Sequence, residues 1–313
     1  INILHLMIQR ASLLILLITI FSSLKAQQMP ECWYRCQAAF DNGEYTLAAK
    51  WIDSCIIQKD KSYIFWFREG EIKYNQGDIS NALESFKKAD KLKKGSSAFM
   101  LAKTYCNLDD TANCFFWLKN YLSQSDKLSE GQIKLDRTFD KVIATPQWKK
   151  IWKNEWYNPT EKLISDAEYS LSNENWEEAL DILNPRLKGS KPKPQLLVLR
   201  ANAYYGLKSY KNAIDDYSEA INRSKKNHQY LDLRSKAYIA YDKFSLAIND
   251  LTSAIALSGG NPKYYLSRAE ANYKAKSFSN AFDDITYYLS FYPSDSKASV
   301  LLVQIAIENE QLC

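Results

Sequence analysis

Histidine is nearly missing from this chain. Its 313 residues hold two, His5 and His228, and His5 lies in an apolar leader. One remaining imidazole removes His-dependent catalytic triads, His-rich metal centres and most proton relays. Glycine (9) and proline (8) are also scarce, which argues against a turn-rich all-β fold and suits long helices. There is no glycine-rich phosphate loop and no dinucleotide fingerprint, so no cofactor is expected. Nor is there a surplus of one charge. The formal net charge is +5, residues 1–26 supply Arg10 and Lys25 without an acid, and the rest carries 39 basic against 36 acidic side chains with no dense basic block. Nucleic acid is therefore not expected as a partner. Cys32 and Cys36 have helical spacing, and no neighbouring His or Cys pair completes a metal site. Asp and Glu are numerous but fall mainly on helix faces at repeat spacing. The expectation is a protein that is not an enzyme.

What is present is a globular composition, 46% hydrophobic and 25% charged, with 13% aromatics that are mostly Tyr. Residues 1–6 precede the first Met and read as an upstream extension. From Met7, a basic Arg10, an apolar run from Leu13 to Phe21 and a small residue at Ala26 have the three-part layout of a secretory signal peptide cleaved near Ala26. The run is too short for the roughly 20 residues of a spanning helix, so no membrane anchor is expected after cleavage. The expected location is the periplasm or the outside of the cell.

The remainder repeats itself. Ala179, Ala213, Ala247 and Ala281 are 34 residues apart. Leu183, Tyr217, Leu251 and Ile285 follow each by four; Trp176, Tyr210, Phe244 and Phe278 precede each by three; Ala167, Ala201, Ser235 and Ala269 precede each by twelve. Two antiparallel helices joined by a tight turn explain these columns. Small residues on both helices let the backbones approach, the aromatic covers the turn, and stacked units bury a shared apolar face. Leu199–Ile221 resembles a near-consensus tetratricopeptide repeat, and Trp66-Phe67-Arg68-Glu69-Gly70 followed by Ala82, Phe86 and Ala89 fits the same family. The leader's Ser-Leu-Lys-Ala-Gln-Gln ending resembles signal peptides of Bacteroidetes. The resemblance implies an all-α, right-handed solenoid of helix hairpins in two stacked modules. About three repeats span 27–126 and four span 159–293, with a connector at 127–158 and a closing helix at 294–313 that carries Val300, Val303 and Ile307 on one face.

In the connector, Pro146 opens a helix that would carry Trp148, Trp152 and Trp156 on one face, over the open end of an array. Arg200, Arg234 and Arg268 recur every 34 residues, as do Asp216, Asp250 and Asp284; they are expected to form structural ion pairs. Cys36 and Cys55, in small-residue columns of facing helices, are the candidates for a disulfide.

The resemblance implies that first helices line a ligand groove. Its columns hold Trp33, Phe67 and Phe99, and Phe40 and Tyr74, which are the candidate peptide-binding residues; the alternative is that these rings simply pack between adjacent first helices. Val198 stands beside Asn202 where the family's carboxylate clamp needs a Lys, so that mode of binding is not expected. The functional expectation is an exported scaffold or adaptor holding a protein or peptide partner in its groove. The rivals are a non-catalytic accessory subunit of an envelope enzyme or carbohydrate-handling complex, and a self-assembling spacer. Partner identity and oligomeric state are left open.

Overall fold

The computed structural model describes residues 29–59, 61–188 and 192–310. The leader lies outside them, and with it the signal-peptide reading; so does Cys313. Among the described residues all regular structure is helical. Antiparallel hairpins are formed by α1 (Glu31–Asp41) with α2 (Tyr45–Gln58), α3 (Tyr63–Asn75) with α4 (Ile79–Leu92), and α5 (Ala98–Asn107) with α6 (Thr111–Leu122). The connector contributes α7 (Glu130–Lys134), a 3-10 turn (Arg137–Phe139) and α8 (Pro146–Ile151). Four more hairpins are α9 (Pro159–Ser172) with α10 (Trp176–Leu187), α11 (Pro194–Gly206) with α12 (Tyr210–Arg223), α13 (His228–Ala240) with α14 (Phe244–Ser258), and α15 (Pro262–Lys274) with α16 (Phe278–Leu289). The last element is α17 (Ser296–Glu310). The chain divides into two compact units, 31–224 and 225–310.

Every hairpin turn uses the same backbone device. Gly43, Gly77, Asp109, Glu174, Lys208, Asp242 and Lys276 all have φ between 56° and 81°. The next residue's N–H returns to a carbonyl five residues back, for example Glu44 to Ala39 and Ser209 to Tyr204, both at 2.8 Å. This is a Schellman-type stop, which consumes carbonyls that the first helix leaves unpaired. Five of the seven positions are not glycine, so a local cost of about 1 kcal/mol each is accepted there. Several starts are marked as well. Asp78 and Asp110 cap α4 and α6, Asn227 and Asn261 cap α13 and α15, and Pro159, Pro194 and Pro262 occupy first-turn positions.

The small columns lie buried between the paired helices. Cys36, Gly70, Ala102, Ala167, Ala201, Ser235 and Ala269 on first helices are buried, as are Ala48, Ala82, Cys114, Ala179, Ala213, Ala247 and Ala281 on second helices. The second hairpin shows the tolerance: a Cβ on Gly70 would lie 2.6 Å from the Phe86 ring.

The connector packs inside the first unit. Ile133, Phe139, Val142, Trp148, Ile151 and Tyr157 form one core with Ala102, Cys106, Cys114, Phe115, Leu118 and Leu122 of the third hairpin. One expectation needs correction. The three tryptophans do not share a helix, because α8 stops at Ile151 and Trp156 folds back to donate its indole N–H to the Ile151 carbonyl at 2.8 Å. In α17, Ala298 and Ile305 are buried, whereas Val300, Val303 and Ile307 point outward.

Arginine–aspartate pairs bind first to second helices. Arg200 donates from Nε to Asp216 Oδ2 and from Nη2 to Oδ1, both at 2.7 Å. Arg234 holds Asp250 at 2.8 and 2.7 Å, and Arg268 holds Asp284 at 2.9 and 2.7 Å. The remaining Nη1 of Arg200 reaches Asn184 in the preceding hairpin, and that of Arg268 reaches Thr252, so one guanidinium ties two hairpins. Earlier hairpins fill the same positions differently: Arg35 lies over Trp51, and Ser85 donates to Glu69. Asp250 is 9% exposed and Arg234 19%. Asp250→Ala, which removes the bidentate carboxylate from a largely buried guanidinium, is expected to cost about 3 kcal/mol, and Arg234→Leu with Asp250→Leu less than that single change; urea unfolding of the three proteins checks the order.

Candidate functional site

First helices of the first unit present stripes at i, i+4 and i+7 or i+8. On α1 these are Trp33, Gln37 and Phe40; on α3, Phe67, Glu71 and Tyr74; on α5, Phe99, Lys103 and Asn107. All five candidate aromatics are half-buried, but their surroundings divide them into two groups.

At the α1–α3 end, Trp33 packs on Phe65 with ring centroids 5.7 Å apart. The Arg68 guanidinium lies over both Phe40, at 4.4 Å, and Trp33, at 5.4 Å. Arg68 Nη2 donates to Gln37 Oε1 at 2.9 Å, and Nη1 pairs with Glu71 at 3.1 Å. Its Nε is buried with no acceptor. The Glu71 carboxyl is raised above the usual carboxylate range by burial, with Arg68 opposing the shift. Phe67 leans back on Phe86 in its own hairpin, at 5.6 Å. Sequence reasoning named Trp33, Phe40 and Phe67 and missed Gln37, Arg68 and Glu71. Gln37 and Glu71, one turn after Trp33 and Phe67, were the signal available.

At the α3–α5 end the face is already occupied. Phe99 is flanked by Tyr121 at 4.7 Å and Phe139 at 6.1 Å. Lys103 pairs with Asp136 at 2.8 Å, and its ammonium lies 5.7 Å from the Tyr74 and Phe99 rings. The Tyr74 hydroxyl accepts from Asn107 Nδ2 at 2.8 Å and is 3.5 Å from Thr138 Oγ1. Asp136, Thr138 and Phe139 belong to the connector, so Tyr74 and Phe99 touch the chain's own segment.

The expected Cys36–Cys55 bond is not the one formed. Cys55 is bonded to Cys32, with Cα atoms 5.7 Å apart, and Cys36 is a free, fully buried thiol. The reason is height. In an antiparallel hairpin turning at Gly43, a residue twelve after the turn faces one about twelve before it. Cys32 meets that condition; Cys36 sits one turn nearer the bend. Burial pushes the Cys36 thiol up to about 12, with Arg68 opposing it.

His228, at the start of α13, lies 2.7 Å from the Tyr264 hydroxyl, and burial lowers its pKa. Val198 is buried and Asn202 accepts from the Tyr217 hydroxyl at 2.6 Å, so neither forms an open ligand surface. A polar cleft of 560 Å³ passes Ser123, Gln124, Trp156 and Glu161; its buried Lys127 ammonium is engaged by Glu161 at 2.7 Å and the Gln124 carbonyl at 2.8 Å. Among the described residues, no three His, Cys, Asp or Glu side chains cluster as metal ligands, and no helix is long and apolar enough to cross a membrane.

Repeated hairpins with a common turn, two small-residue columns and a lined first-helix face define a helical-hairpin repeat protein. The chain contains tetratricopeptide repeats: the family profile "Tetratricopeptide repeat" matches residues 63–96 and 194–227. Similar solved structures include the second TPR domain of human RPAP3 in complex with an HSP70 peptide, 26% identical over 36% of this chain and 98% of that one, with a TM-score of 0.34. A tetratricopeptide repeat protein from Parabacteroides merdae is 14% identical over 88% of this chain and 98% of its own (TM-score 0.41). YrrB, described as a TPR protein with an unusual peptide-binding site, is 10% identical over 80% and 97% (TM-score 0.39). No curated protein matches the chain.

Two chemical outcomes follow for the first hairpin. Alkylation of the unreduced, native chain at pH 8.5 should leave Cys36 unlabelled, because a thiol raised to about 12 supplies almost no thiolate there; denaturation should release it, and peptide mapping by mass spectrometry reads both states. Cys55→Ser should lower stability by about 3 kcal/mol, the chain-entropy value for the 23-residue separation it closes, measured by denaturant unfolding.

Proposed function

We propose that this protein is a non-catalytic interaction scaffold working outside the cytoplasm, which holds an extended protein segment across the first helices of its first two hairpins. One observation carries the reading. Arg68 is fixed over Trp33 and Phe40, with Gln37 and Glu71 on its Nη atoms and an Nε that has no acceptor. A buried donor without a partner costs stability, of order 1–3 kcal/mol, which an arrangement selected for packing alone would avoid. Aromatic rings held by a guanidinium are also the side chains that dominate interface energetics. Export is supported by the leader's layout and by the Cys32–Cys55 bond, which suits an oxidising compartment.

The partner is to be captured with the mature chain from its native envelope and identified by mass spectrometry, then measured directly. Arg68→Gln and Trp33→Ala should each weaken its binding at least tenfold, the scale expected for central aromatic and Arg anchors, while Phe116→Ala, an exposed residue on the second helix of the third hairpin, leaves it unchanged. Undiminished binding by folded Arg68→Gln and Trp33→Ala chains would sink the proposal.

A further inference from the structure

The first-helix face beside the Arg68 site is filled, and its occupant shows what chemistry the face accepts. Asp136, Thr138 and Phe139 lie outside the repeat pattern, yet they meet Lys103, Tyr74 and Phe99 at the stripe positions that line the open end on α1 and α3. Asp136 Oδ1 also accepts from the Thr138 N–H at 2.9 Å, which folds the segment into its 3-10 turn. Lys103 and Asp136 side chains are 18% and 20% exposed, so their charges meet with little water between them. Two further restraints hold the segment: Lys141 pairs with Asp109 at 2.6 Å, and Phe139 is fully buried against Trp148 at 5.4 Å.

We infer that the α3–α5 face is a built binding site for an acidic–aromatic segment of the form Asp-x-x-Phe, filled in this chain by its own Asp136–Phe139. Lys103 reads the carboxylate, Phe99 the ring, and the Tyr74 hydroxyl the polar residue between them. Because the occupant is tethered, its effective concentration is of millimolar order, so an external segment of the same chemistry is excluded until the tethered one is weakened. The inference rests on the reading that first helices of this unit take protein segments, and it adds a boundary: a partner on Trp33, Phe40 and Arg68 meets the chain's own segment at Tyr74 and cannot extend along α5.

The test uses the full chain and a fluorescein-labelled synthetic peptide of residues 132–143, followed by fluorescence anisotropy. The chain carrying Asp136→Ser, Thr138→Ser and Phe139→Ser should bind this peptide saturably and at least tenfold more tightly than the unaltered chain. Adding Lys103→Glu should abolish that binding, and a peptide with Asp136→Lys and Phe139→Ala should not bind. A folded triple variant that ignores the peptide, or an unaltered chain that binds it equally well, overturns the inference. If circular dichroism shows the triple variant unfolded, Asp136→Lys alone replaces it and native-state hydrogen exchange is read at residues 137–142. Exchange there should quicken at least tenfold and return towards the original rate on adding Lys103→Asp; unchanged exchange overturns the inference. Because Trp33 and Arg68 are untouched in every arm, failure here leaves the binding reading at those residues to its own measurement.

Discussion

Two helices can lie flat against each other only if something small stands where their axes come nearest. In this protein that place is set by two residues per hairpin, twelve apart in sequence: Gly70 with Ala82, Ala201 with Ala213, Ala269 with Ala281. Their burial at the interface sets how close the two helices come, and the left-handed residue between them fixes the reversal. With both settled, the bulky neighbours have defined places. Phe86 fills the space a side chain on Gly70 would take, and Trp176 sits where a Cβ on Gly206 would be. The Arg–Asp forks then lock an arrangement that packing has already chosen, which fits the observation that the first four hairpins manage without them.

The same geometry creates the face proposed to bind. A first helix packs one side on its partner, and in the first three hairpins a stripe beside that contact stays only half-buried. In the first hairpins that stripe is aromatic and holds a guanidinium; along α5 it holds a cation beneath the connector. The side-chain chemistry of that stripe thus varies while the scaffold beneath it stays constant, as a repeat architecture allows.

Much of the fold was legible because the columns repeat. The last four hairpins and the Arg–Asp spacing follow from a 34-residue period that a single sequence displays, and the first three hairpins from a looser version of it. What escaped notice lacks a period. The connector contains short helices and a 3-10 turn held by single contacts, such as the Trp156 indole on the Ile151 carbonyl, and spacing alone suggested a longer helix. The disulfide was misassigned because columns give the face of a helix and not the height along it: Cys36 lies in the small column, but Cys32 lies level with Cys55. Arg68 was passed over for a related reason. It follows Phe67 in sequence, and its role becomes visible only when α1 brings Trp33, Gln37 and Phe40 around it.

The Cys32–Cys55 bond has a mechanical consequence. It joins the start of the first hairpin to the end of its second helix, so tension applied at the amino-terminal side passes from residue 32 to residue 55 without loading the chain between them. Roughly 75 Å of contour, at about 3.4 Å per residue, is thereby withheld from any extension. A pulling load would first reach the second hairpin, and the Arg68 site, whose α1 half lies inside the bypassed loop and whose α3 half lies beyond it, would be parted between a sheltered and a loaded helix.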